Sequence, residues 1–138
     1  MSQHALNGFG AYQKAKALFD LVVSDMSGLK KEPLCYRLVT QQVASADSIC
    51  SNIEEGYGRL SRPEYVRFLD FARGSARETQ GRYVRMRHWL NQDTVAQRVA
   101  LADEIIGILT KTIQTLLAQL QQSPTRATYL REEPFQHQ

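Results

Sequence analysis

Long apolar runs are missing from this 138-residue chain. No stretch approaches the roughly 18 consecutive apolar residues that a membrane-spanning helix needs, which excludes a helical span. The opening Met1-Ser2-Gln3-His4 has neither a basic start nor an apolar core of a secretory signal, so a cytoplasmic protein is expected. Cysteine is scarce. Cys35 and Cys50 fall in one helical pattern, about 22 Å apart by helical rise, too far for a disulfide within the chain. They read as buried apolar groups, or in the case of Cys35 as a partly exposed thiol. No Cys-x-x-Cys or His-rich spacing is present, so neither a metal nor a cofactor is expected. Histidine is equally thin. His4 and His137 lie near the ends, and His88 has no acid three or four residues away, so the Glu-x-x-His signature of bundle di-iron sites is lacking. Glu54 and Glu55 are adjacent and would point about 100° apart on a helix, a poor acid/base pair. Without groups that converge, no enzyme is expected.

What is present is helical periodicity, enough for one domain with a single core. Ala11, Tyr12, Ala15, Leu18, Phe19, Val22 and Met26 recur at three- and four-residue steps and predict a first helix over about 8–27, with Asn7 as a candidate cap. The residues before it carry little pattern and are expected to be mobile. A second helix over about 33–56 starts near Pro33, and Gln42 falls inside its apolar stripe. An inter-helix hydrogen bond that fixes register, or a ligand contact, would explain that amide. A third helix is expected over 62–90 with Tyr65, Phe68, Leu69, Ala72, Ala76, Thr79, Tyr83, Met86 and Leu90 inward. A fourth, over 94–122, opens on a Thr94/Gln97 capping box and carries a heptad seam from Val95 to Leu120. Residues 124–138 read as a tail, flexible or docking on a neighbour.

The second and third helices meet at Asn52-Ile53-Glu54-Glu55-Gly56-Tyr57-Gly58-Arg59-Leu60-Ser61-Arg62-Pro63-Glu64. Gly56 and Gly58 suit a left-handed helix end, Ser61 and Glu64 form a capping box, and Pro63 belongs in a first turn. A tight helical hairpin follows. Gly56 to Ser61 half-match a dinucleotide fingerprint, but a helix rather than a strand precedes them, so that reading is rejected.

The run Gln41 … Ser48-Ile49 … Asn52-Ile53-x-Glu55-Gly56-Tyr57-Gly58-Arg59, continued by Ser61 … Glu64-Tyr65 … Phe68-Leu69 … Ala72-x-Gly74-Ser75-Ala76-x-Glu78, resembles the bacterial four-helix-bundle family encoded in intervening sequences of large-subunit ribosomal RNA genes. The chain departs from that family's habit at Gln42, Asp47 and Glu54, where small or apolar residues are usual. The resemblance implies an all-α, antiparallel up-down four-helix bundle and self-assembly, in some members as a five-fold ring. It implies no activity. A distant relative is the accessory protein of diversity-generating retroelements, which binds nucleic acid and a reverse transcriptase.

Charge is uneven. Arg59, Arg62, Arg67, Arg73, Arg77, Arg82, Arg85 and Arg87 face only three acids between Arg59 and Leu90, while the whole chain carries +3, so the remainder is net negative. Arginine grips phosphate and stacks on bases. The first seven of these arginines are therefore candidate contacts for RNA or DNA, with Asp70–Arg73 and Glu78–Arg82 pairing as the competing explanation. Phe71 and Trp89 project to one sector of the third helix, suited to base stacking or to a subunit contact. Gly74 and Gly81 mark either a close backbone approach or a locally weak helix. Leu101, Ile105 and Ile108 form a second apolar stripe beside the fourth-helix seam, read as an oligomer interface, with a wide core as the alternative. The expected function is a self-assembling scaffold with nucleic-acid contacts, or a protein-partner adaptor without them.

Overall fold

The computed structural model describes residues 3–122, with side chains from residue 5 onward. The expected tail, with Tyr129, Leu130, Phe135 and His137, lies outside the described residues. Every regular element described is helical: α1 (Gln3–Asn7), α2 (Gly10–Ser27), α3 (Tyr36–Tyr57), α4 (Arg62–Arg85) and α5 (Gln92–Gln122), with 3-10 turns at Pro33–Cys35 and Met86–His88. The four long helices pack as a ring of neighbours, each against the next and α5 back against α2. Cross-links show alternating directions. Tyr12 reaches Glu54, Asp25 reaches Arg98, Gln42 reaches Thr79 and Arg73 reaches Thr110. This is an all-helical, up-and-down arrangement around one core.

The core is where three- and four-residue steps place it. Ala15, Leu18 and Val22 of α2, Ala46, Ile49 and Ile53 of α3, and Leu69, Ala72 and Ala76 of α4 are fully buried. Packed to crystal-like density, such side chains supply most of a bundle's stability. The chain turns helical earlier than expected, at Gln3–Asn7, because Leu6 finds a place on the core. The α2 cap falls to Phe9, which makes no side-chain capping bond, and Asn7 instead offers its carbonyl to Gln13.

Three local expectations need correction. No described residue takes a positive φ. The glycines of the hairpin therefore do not form a left-handed stop; Gly58 stays right-handed, and its amide donates to Glu54 and Glu55 carbonyls. Gly56 has a different job. It is buried inside α3, and a Cβ there would stand 3.0 Å from Tyr65 Cδ1 and 3.1 Å from Phe68 Cβ. The two helices can approach this closely only because a side chain is missing. The Ser61 cap forms as expected, with Glu64 N donating to Ser61 Oγ at 3.2 Å. Its carboxylate turns to Arg67 rather than back to the cap. α5 begins two residues early because Asn91 Oδ1 accepts from Asp93 N at 2.7 Å, which displaces Thr94 from the capping role.

The second stripe of α5 is not spare surface. Ile105 is completely buried within the single chain, and Leu101 and Ile108 pack partly against the core. The wide-core alternative holds for Ile105, which is withdrawn as an interface residue. Ile106 moves correspondingly outward to the core's edge.

Candidate nucleic-acid interface

The eight arginines sort by where α4 carries them. Arg62 donates to Gln119 and Arg73 to Thr110, so both cross to α5; Arg73 also meets Asp70 at 2.7 Å. Arg82 turns to α3 and is only 9% exposed, which removes it from the open face on which it was expected. Arg87 bonds the Val84 carbonyl. Arg87 is exposed despite that bond, and Arg59, Arg67, Arg77 and Arg85 are exposed too. Among the described residues Arg77 and Arg85 have no carboxylate within ion-pair distance, whereas Arg59 pairs with Glu55 at 2.6 Å and Arg67 stands 3.7 Å from Glu64.

Two of these arginines lie on aromatic rings. Arg59 Cζ stands 4.8 Å from the centroid of Phe68, and Arg67 Cζ 5.5 Å from that of Phe71. The rings meet edge to face at 5.7 Å. Phe71 is 44% exposed and the nearby hairpin tip presents Leu60 wholly to solvent. Position explains the cluster. The capped start of α4 sets Arg67 and Phe71 four residues apart on one face, and the hairpin returns Arg59 over Phe68. Cation–π attraction of about 0.5–1 kcal/mol per pair at exposed sites holds the guanidinium planes against the rings.

Trp89 is not part of this cluster. α4 gives way to a 3-10 turn after Arg85, so the helical projection that paired Trp89 with Phe71 ends before reaching it. Trp89 packs partly against the core and meets His88 edge to face at 5.7 Å. Gly74 has no atom within 4 Å of an added Cβ, and Gly81 has only the Arg85 guanidinium at 3.4 Å. Among the described residues no backbone from another element approaches either one.

Beneath the outer face lies a polar seam between α3 and α4. Gln42 is fully buried, donating from Nε2 to the Thr79 carbonyl at 2.8 Å, so it bridges helices as expected of a buried amide. Arg82 Nη1 donates to Gln42 Oε1 at 2.9 Å, to Ser45 Oγ at 2.8 Å and to the Gln41 carbonyl at 3.4 Å. Ser45 Oγ and Thr79 Oγ1 are 2.8 Å apart, and Thr79 donates to the Ser75 carbonyl. Burial, and secondarily Arg85, push the Arg82 pKa down. Of the three departures from the family habit, only Gln42 is buried; Asp47 is exposed, and Glu54 accepts from Tyr12 at 2.7 Å.

A second, part-buried cluster gives no sign of itself in the sequence pattern. Asp25 accepts from Tyr83 Oη at 2.7 Å and from Arg98 Nε and Nη2 at 2.9 and 3.2 Å. It ties α2, α4 and α5 at one end of the bundle. Arg98 is pushed up by its bonds to Asp25, and Tyr83 is pushed up by burial and by the same carboxylate. Both cysteines are buried and free. Among the described residues no group of three His, Cys, Asp or Glu could hold a metal ion, and no helix is long and apolar enough to cross a membrane.

The model of the 23S rRNA-intervening sequence protein family matches residues 8–111. The chain belongs to that family. The match includes the hairpin, the whole of α4 and the Arg–Phe cluster, and stops within α5. The fold also matches the crystal structure of a protein of unknown function from the S23 ribosomal protein family of Bacteroides thetaiotaomicron. The TM-score is 0.70 at 21% identity, covering 75% of this chain and 97% of that one. Likeness at that identity carries the fold and no activity. No curated protein matches the chain.

Proposed function

We propose that this protein is a non-enzymatic, cytoplasmic binding module of the 23S rRNA-intervening sequence family that holds RNA or DNA against the hairpin tip and the outer face of α4. The Arg59–Phe68 and Arg67–Phe71 stacks carry the reading. Flat guanidinium and aryl surfaces accept unstacked bases, while the same guanidinium groups and the exposed Arg77 and Arg85 face phosphates. Self-assembly strengthens it, since a modest patch repeated around a ring gains by effective concentration. Assembly is favoured by apolar groups left at opposite ends of the bundle. Leu60 and Phe71 lie toward the hairpin, and Leu34 and Tyr36 stand 84% and 67% exposed at the other end. Contact between unlike patches is heterologous and closes into a ring when the rotation allows, consistent with the five-fold assemblies that the family resemblance implies.

Electrophoretic shift of structured RNA at rising salt tests the proposal. Four arginines neutralising phosphates predict a log–log slope of about −3 to −4. Reversing Arg59, Arg67, Arg77 and Arg85 to Glu should abolish the shift while leaving helicity intact. No shift at low salt would remove nucleic acid and leave a protein-partner adaptor. Light scattering tests assembly separately. Leu34→Asp should reduce the solution mass, and an unchanged mass would place the contact elsewhere.

A further inference from the structure

Arg82 carries a buried charge that no direct ion pair among the described residues neutralises; Glu78 acts on it only through space. Arg82 lies more than nine-tenths buried, yet no carboxylate among the described residues comes within 4 Å of it. All its bonds run through Nη1 to neutral oxygens of Gln41, Gln42 and Ser45. Nε is buried without a partner. Nη2 makes no hydrogen bond among the described residues and is not among the buried unpartnered atoms, so it keeps some contact with solvent. A groove of about 390 Å³ runs between α3 and α4 and is lined by Gln41, Ala44, Ser45, Ser48, Glu78 and Arg82. Buried charges are ordinarily paired, because neutral dipoles replace only part of the lost hydration. Positive potential in a cleft with low-dielectric walls concentrates anions.

We infer that this groove is a binding site for a phosphate group, with Arg82 as its cationic floor and the Ser48 hydroxyl and Gln41 amide as further donors at its rim. The fit is chemical. A guanidinium edge offers the planar donor geometry that phosphate oxygens accept, and hydroxyl and amide groups supply neutral donors beside it. The Gln42–Thr79 and Ser45–Thr79 bonds hold Arg82 in place before any ligand arrives, so little ordering is required on binding. Glu78 on the rim is the opposing group. It stands four residues before Arg82 on α4 and is not ion-paired with it. Its carboxylate therefore sets a penalty on the anion that a neutral residue would relieve. The site does not depend on the Arg–Phe cluster, which uses other side chains.

Titration calorimetry with inorganic phosphate, at ionic strength held constant with potassium chloride, tests the inference on the full chain. Wild type should bind saturably at one site per chain. Arg82→Lys, which loses the fork geometry, should weaken binding by about tenfold. Arg82→Met should abolish it. The substitution also leaves Gln42 Oε1 and Ser45 Oγ without their Arg82 donor, so its helicity is checked by circular dichroism before binding is read. Glu78→Gln should tighten binding and does not disturb the buried network, which makes it the decisive variant if Arg82→Met fails to fold. Absence of saturable heat in wild type, equal binding by Arg82→Met, or no effect of Glu78→Gln would each overturn the site. Dinucleotides separate the sources. Binding only when a 5′-phosphate is present assigns a terminal phosphomonoester, binding without it assigns a backbone phosphodiester, and binding of inorganic phosphate alone assigns the free ion. Charge reversal of Arg59 and Arg67 should leave phosphate binding unchanged, so loss of the RNA shift and loss of this site are distinguishable.

Discussion

α4 has two sides that put one residue type to opposite uses. Toward its neighbours, Arg73 and Arg82 are held in hydrogen bonds to α5 and α3. Toward solvent, Arg67, Arg77 and Arg85 stay exposed. Glycine divides the same way, if the hairpin is included. Gly56 is required by the approach of Tyr65 and Phe68, while Gly74 faces open space. Composition and charge count both sides as equal. The physical difference is solvation: an inward arginine gives up water and must recover its bonds from carbonyls, amides and hydroxyls, whereas an outward one keeps its water and its reach.

Breaking an inward pair should have the largest effect. Asp25→Ala leaves Arg98 charged and half-buried, and Tyr83 without an acceptor. A loss of about 3 kcal/mol is expected in urea denaturation, in line with removal of one partner of a buried ion pair. Asp25→Leu combined with Arg98→Met should recover most of it. An effect below about 1 kcal/mol for Asp25→Ala would mean that water already solvates this pair and that the inward side is less closed than its burial indicates.

The two glycines sharpen the comparison next, because the same substitution should change sign between them. Gly56→Ala forces Tyr65 and the Phe68 Cβ to move. Overpacking of this kind costs about 1–3 kcal/mol, offset by roughly 1 kcal/mol from helix propensity, for a net loss of about 1 kcal/mol. Gly74→Ala meets nothing and should gain up to about 1 kcal/mol. Thermal midpoints measured side by side decide it. A loss at Gly74 would show that another molecule closes on that face.

The same division shows how much the sequence could tell. The four long helices, their order and core faces were legible, since three- and four-residue steps report burial directly; Ala11 to Met26 and Leu69 to Tyr83 lie where the periodicity put them. The Ser61 cap was legible because its bond is local. Arg82 was misread because its partners come from residues about 40 positions away, across an inter-helix distance that no wheel contains. Ile105 was misread for the related reason that α5 packs against both α2 and α4, which widens its buried face beyond a single seam. Trp89 was lost to a change of helix type that carries no strong signal. Asp25, Tyr83 and Arg98 gave no local sign of their association. Arg67 and Phe71 stack because they stand four residues apart on one helix, a spacing that the sequence contains.

The smallest effect separates the two sides by pH. Inward groups should keep their protons long after the unfolded chain has lost them. Burial, with Glu54 and Asp47 adding to it, pushes the Cys50 thiol from 9.0 up to about 11. The hydrogen bond to Glu54, and then burial, push Tyr12 from 10.0 up to about 12. Burial raises Tyr65 and Tyr83 as well. In each case the native state binds more protons than the unfolded state between the two pKa values, so stability falls as pH rises through that window. Below about pH 9 the contribution is complete; the decline should begin there, continue through about pH 11, and persist while the phenols remain protonated in the fold. Urea midpoints at about pH 8 and about pH 10.5 measure it. Tyr12→Phe should flatten the part of the slope above pH 10. A midpoint constant across the whole range would mean that thiol and phenols ionise alike in both states, and that the inward side of the bundle is open to water after all.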